Sequence, residues 1–153
     1  MAETAIGIRS LGDARHCLRR LEELGSKRTM EVRAQIALAA GHCEEAAAVA
    51  EAAMEEHEGP LAPVVAAEAY ACLGNLEKAR SYSDRAAGET VRTLDGAWID
   101  RIFRVRAQIS YSEGNKDRTR DNLERAWQSA PDARRPSYEK MMEDLKAGRD
   151  PKF

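Results

Sequence analysis

The sequence predicts an all-α chain of stacked helical hairpins, and three observations carry that expectation. The pentapeptide VRAQI occurs twice, at Val32 to Ile36 and at Val105 to Ile109, each time followed five residues later by a glycine, Gly41 and Gly114. Between them the stretch Ala67 to Ala87, AEAYACLGNLEKARSYSDRAA, reads as a helix, a tight turn at Gly74 and a second helix. The remainder is alanine-heavy and poor in β-branched residues, with only 5% aromatic side chains, a composition that favours helices and gives a β-sandwich too little to pack.

Residues 1–25 read as an N-terminal half-repeat. Leu11, Gly12 and Asp13 form its turn, and Ala14, Cys17, Leu18, Leu21 and Leu24 then recur at helical spacing until Gly25 stops them. In residues 26–58, Ser26 caps a helix that runs through the first VRAQI to Ala40. After Gly41 a second helix, from Cys43 to His57, packs through Ala46, Val49, Ala50 and Ala53. Residues 60–93 open with Pro60 and Pro63, since proline fits the first turn of a helix and breaks its interior.

The glycine intervals locate a longer hairpin. Gly41 to Gly74 is 33 residues and Gly74 to Gly114 is 40, so the second interval holds seven more. Seven residues are about two helical turns, which lengthen a hairpin without rotating its packing face. Ala79, Ser83, Ala86, Thr90 and Leu94 stay in phase past Gly88, as do Trp98, Ile102, Val105 and Ile109 on the return. A turn at Leu94 to Gly96 follows, with Asp95 as a cap. Residues 95–131 then hold the second VRAQI helix, Gly114, and a helix from Lys116 to Ala130 that turns Leu123, Ala126 and Trp127 inward before Pro131. Residues 135–148 form a last helix, begun by Pro136 and stopped by Gly148. Tyr138, Met141, Met142 and Leu145 make its apolar stripe, and Glu139, Lys140, Glu143, Asp144 and Lys146 face water, as in a helix that caps a stack.

Small residues before Tyr70, the Leu73-Gly74 turn and the pair Ala79 and Ala86, seven apart, resemble the tetratricopeptide (TPR) family over residues 10–131. Ala34, Ala67 and Ala107 match its small first-helix position, Ala53, Ala86 and Ala126 its second-helix alanine, and Pro131 its closing proline. Thr119 stands where the family has alanine, Arg33 and Arg106 where it has leucine, and no tryptophan stands at its early position. The resemblance implies a right-handed solenoid of about eight or nine antiparallel helices, TPR-like, with a C-terminal capping helix. It also implies a concave groove lined by the first helix of each hairpin. Carried onto this chain, the lining is Arg28, Glu31, Gln35 and Leu38; Leu61, Val64, Glu68 and Ala71; and Arg101, Arg104, Gln108 and Tyr111. The third set is a basic ridge ending in an aromatic, suited to an extended acidic segment or a carboxylate. The plainer reading is that Arg101 and Arg104 pair with neighbouring acids. The family's clamp for chaperone tails is disfavoured, because Glu31 and Gln35 stand at clamp positions and Val65 replaces an asparagine.

Charged residues make up 33% of the 153 with a net charge of −2, which offers no general attraction for phosphate backbones and argues against a nucleic-acid partner. No apolar run approaches membrane length and no basic leader opens the chain, so a soluble cytoplasmic protein is expected. The pairs His16-Cys17 and His42-Cys43 lack metal-ligand spacing, since adjacent helical residues point about 100° apart. Cys17, Cys43 and Cys72 read as reduced packing residues without a disulfide framework. The sequence contains no glycine-rich phosphate loop, no G-x-S-x-G and no H-E-x-x-H. The expectation is a non-enzymatic scaffold without cofactor or metal, binding a peptide or partner protein in the groove. Two alternatives stay open: a ligand- or partner-sensing fragment of a larger bacterial transcription regulator, and self-assembly into a homo-oligomer through an uncapped N-terminal end.

Overall fold

The computed structural model describes residues 11–25 and 28–153. Within them the chain forms eight helices and no strand: α1 (Leu11–Glu23), α2 (Thr29–Ala39), α3 (Cys43–Glu56), α4 (Leu61–Cys72), α5 (Leu76–Thr93), α6 (Ile99–Ser112), α7 (Lys116–Ser129) and α8 (Arg135–Lys146). Each helix packs on the next, and α4 also packs on α2 and α6. Among the described residues no helix is long and apolar enough to cross a membrane.

Equivalent glycines close equivalent helices. Gly41, Gly74 and Gly114 have φ of +80°, +75° and +76°, a left-handed conformation in which any other residue would strain its Cβ. At each, the glycine N–H and the next N–H donate back to the last helical turn, as in Gly74 to Ala71 and Asn75 to Tyr70, at 3.1 and 2.9 Å. This pairing satisfies carbonyls that a helix end otherwise leaves open. Asn75 and Asn115 then cap α5 and α7, their side-chain oxygens accepting from the N–H of Lys78 and Arg118 at 3.1 and 3.0 Å.

The core is built where the small residues predict it. Ala34, Ala67 and Ala107, with Ala53, Ala86 and Ala126, are all buried, and so is Thr119, whose hydroxyl donates to the Asn115 carbonyl at 2.7 Å. Leu123 sits at 0% exposure with Ala126, Tyr138 and Met141. Helix α5 runs unbroken through Gly88, and the expected turn follows, with Asp95 Oδ1 accepting from the Ala97 N–H at 3.1 Å.

Several expectations are corrected. Leu11 to Asp13 belong to the first turn of α1 and are not a preceding turn. Leu94 is the left-handed residue that ends α5 and is 89% exposed, so it lies outside the packing phase assigned to it. Leu24 is likewise exposed. Asp144 is buried, because the chain after Gly148 turns back and Arg149 donates to its Oδ1 at 2.8 Å. The Ser26 cap, residues 1–10 and the side chains of Ala14, Cys17 and Leu21 lie outside the described residues.

The cysteines give the largest correction. Cys43 at the start of α3 and Cys72 at the end of α4 form a disulfide, with Cα atoms 6.3 Å apart, so the reading of both as reduced packing residues is wrong. Sequence spacing cannot reveal this, since the two come together only when α3 and α4 pack. Closing a loop of 29 residues restricts the unfolded chain by about 3.5 kcal/mol. Reduction should therefore lower stability by roughly that amount in chemical denaturation, and Cys72→Ser should abolish the difference between oxidised and reduced samples. Indistinguishable midpoints before and after reduction would show that the bond is not closed in solution.

Candidate functional site

Helices α2, α4 and α6 bring their polar side chains to one place. Glu68 on α4 accepts from Arg101 Nε at 2.9 Å through Oε1 and from Arg101 Nη2 through Oε2, a two-pronged pairing that matches guanidinium to carboxylate. Arg104, one turn further along α6, donates to Glu68 Oε1 as well. Arg101 Nη1 extends the chain of contacts to Gln35 Oε1 on α2 at 3.2 Å. Burial pushes the Glu68 carboxyl up, but the charges and hydrogen bonds of Arg101 and Arg104 outweigh it and hold the group below its ordinary value. The cluster is dry: Glu68 is 5% exposed, Arg101 2% and Gln35 0%.

A second cluster adjoins the first. Arg134, just before α8, donates from Nε and Nη2 to the two oxygens of Asp100, each at 2.8 Å, and Tyr138 donates to Asp100 Oδ2 at 2.8 Å. The guanidiniums of Arg101 and Arg134 lie 5.4 and 5.9 Å from the Trp98 ring. Burial raises the Tyr138 hydroxyl well above its ordinary range, against the opposing charge of Arg104. On another side Tyr70 and Tyr82, stacked 5.6 Å apart, both donate to Glu51 Oε1 at 2.7 Å, which holds that carboxyl below its ordinary value. Burial, with the Glu51 hydrogen bond adding to it, pushes Tyr82 up to about 12.

The eight candidate groove residues separate into two groups. Glu31, Gln35, Glu68 and Arg101 are each buried, and the pairing read as the plainer alternative for the arginines is observed, with Glu68 as the acid. Leu61, Val64 and Ala71, assigned to the same lining, belong to the apolar core, and Trp98 packs on the clusters that hold Leu61 and Val64. Arg104, Gln108 and Tyr111 keep partial exposure along α6. Arg28 is exposed, with Nε 3.9 Å from Glu31 Oε2. Tyr111 is engaged from within: it donates to Asp150 Oδ1, and its ring lies 5.8 Å from that of Phe153.

Asp100, Arg134, Glu51 and Tyr82 escaped the sequence reading. Asp100 and Arg134 are 34 residues apart and each looks like a surface charge in its own helix, so no local pattern marks them. Among the described residues no group of three or more His, Cys, Asp or Glu side chains is placed to hold a metal ion. Comparison with protein-family models, with curated proteins and with solved structures finds no match to this chain.

Two outcomes test the cluster. Glu68→Ala takes away the carboxylate that balances the buried Arg101 and should cost about 3 to 5 kcal/mol in urea denaturation, whereas Glu68→Met with Arg101→Met should recover most of it. Glu31 supplies a pH test, because its Oε2 is buried without a hydrogen-bond partner and burial raises its carboxyl above the ordinary 4.5. A raised native value means that folding favours the protonated form, so the penalty for the charged form is absent below 4.5 and grows as pH rises through the native value. Glu31→Gln should be more stable than wild type at pH 8, with the gap closing as pH falls to about 4.5. An equal gap at both pH values would remove titration of Glu31 as its cause.

Proposed function

We propose that the chain is a non-enzymatic protein-binding module whose helices form antiparallel pairs stacked as a right-handed, TPR-like solenoid. Support comes from matching sequence at matching places: three glycine turns of one conformation, and buried small residues at equivalent positions in three successive units. The docking surface is the part of the α6 ridge that stays accessible: Arg104, Gln108 and Tyr111. The observation that carries this choice is the chain's own segment after α8. Tyr111 holds the Asp150 carboxylate and packs against the Phe153 ring, so the ridge accommodates an acid and an aromatic three residues apart. A partner segment of the same chemistry would make those contacts in its place, with Arg104 adding a cation.

The cytoplasmic expectation rested on the lack of a basic leader and of a membrane-length apolar run, and took no account of a disulfide. The Cys43–Cys72 bond favours an oxidising compartment instead.

Affinity capture on the intact protein, read by mass spectrometry, tests the surface. Tyr111→Ala with Arg104→Ala should weaken retention of a captured partner at least tenfold, about the loss of one anchoring contact, while Arg120→Ala on α7 leaves it unchanged. Equal retention by the ridge variant, with its melting temperature preserved, would place the partner elsewhere.

A further inference from the structure

Helices α5 and α7 both pack on α6 but not on each other, and a cleft of about 420 Å³ opens between them over the buried Ile109 and Ser110. It lies across α6 from the ridge just described: Arg104 and Arg106 are about 200° apart around the helix. Two cationic ends bound it. At one, Arg80 of α5 is tied to Glu113 at the end of α6, and Arg118 stands in the first turn of α7. At the other, Arg106 of α6 pairs with Asp84 at 2.9 Å, and the guanidiniums of Arg106 and Arg125 lie 5.9 and 5.7 Å from the Phe103 ring, which orients both. Arg118 and Arg125 have no carboxylate within ion-pair distance among the described residues, so each end retains one guanidinium with its fork of donors unused. Between the ends lie polar groups: Asn122 donates to Ser110 Oγ at 3.4 Å, and Asp121 offers a carboxylate without an ion-pair partner among the described residues.

The geometry points to a binding site for a small organic molecule with an anionic group, phosphate or carboxylate, at each end of a hydroxyl-bearing backbone. Arg118 and Arg125 are seven residues apart on α7, about 10 Å along its axis, which sets the span between the two acidic groups. Each free guanidinium takes a phosphate or carboxylate through paired N–H donors. Asp121, midway, repels a third anion and accepts from hydroxyls. The volume is within the range of small-molecule sites, and the chain's net charge of −2 makes the cationic ends a local feature, distinct from any general attraction for anions.

Isothermal titration with a hexose 1,6-bisphosphate, a hexose 6-phosphate and a six-carbon hydroxylated dicarboxylate, at ionic strength matched with chloride, tests the site. The bisphosphate or the dicarboxylate should bind at least tenfold tighter than the monophosphate, and whichever is tighter identifies the acidic group. Arg118→Gln and Arg125→Gln should each bring the two-ended ligand down to the affinity of the monophosphate, whereas Arg120→Gln, outside the cleft, leaves it unchanged. Equal affinity for one-ended and two-ended ligands, no binding above the chloride control, or unchanged binding in both arginine variants would overturn the proposal. Tyr111→Ala should not alter the titration, so failure of the α6 ridge and failure of this cleft are separate results.

Discussion

Helix α4 is covered from every side, and that requirement sets what surrounds it. Each side chain from Leu61 to Ala69 is buried, against α2, α3, α5 and α6. Alanines at 62, 66, 67 and 69 leave room for neighbouring helices to come close, but Glu68 lies in the same run and brings a carboxylate out of water. An ion of that kind is tolerated only beside matching charge and donors. Arg101 and Arg104 of α6 provide both, and Arg101 continues to Gln35 of α2, so one carboxylate ties three helices together. Its contribution is selection more than strength: α6 displaced by a turn would leave Glu68 buried without its counter-ion, a far larger penalty than the pair's net stabilisation.

The same helix α6 shows how charge is spent differently on its two sides. Toward α4 Arg101 is consumed internally, and what remains accessible is a short ridge from the partly exposed Arg104 to Tyr111, which already holds Asp150 and Phe153. Toward α5 and α7 the balance is looser. Arg106 pairs with an exposed Asp84, and Arg118 and Arg125 of α7 line the cleft without an ion-pair partner among the described residues. In the proposed readings, one side of α6 offers a polypeptide a ridge of mixed chemistry, and the other offers a compact anion separated cationic ends. Both surfaces rest on rigid helices, not on loops, so neither needs to be ordered on binding.

The lengthened α5 changes how the chain enters α6. Its two extra turns carry it past Gly88 to Leu94, and the chain must then reverse without a glycine at the left-handed position. Leu94 takes that conformation with its side chain exposed to solvent. Asp95 stabilises the reversal by accepting the Ala97 N–H, and Trp98 then fastens the start of α6 between the core and two guanidiniums.

Helices and turns were legible in the amino-acid order because local physics decides them. Glycines with positive φ, asparagines that cap, prolines at helix starts and alanines at 3.6-residue spacing act within a few residues, and so most of the helices and most of the buried face can be read directly, though not the start of α1. Whether a charge is solvated or buried is another matter. Arg101 and Arg120 look alike in sequence, yet one is sealed against Glu68 and the other is exposed. Cys43 looks like a small packing residue until α4 brings Cys72 to it. Asp100 meets Arg134 only across 34 residues of chain. These pairings, and with them the division of α6 into a closed face, a ridge and a cleft, were decided by tertiary packing alone, because Coulomb energy and desolvation depend on distance in space and not on distance along the chain.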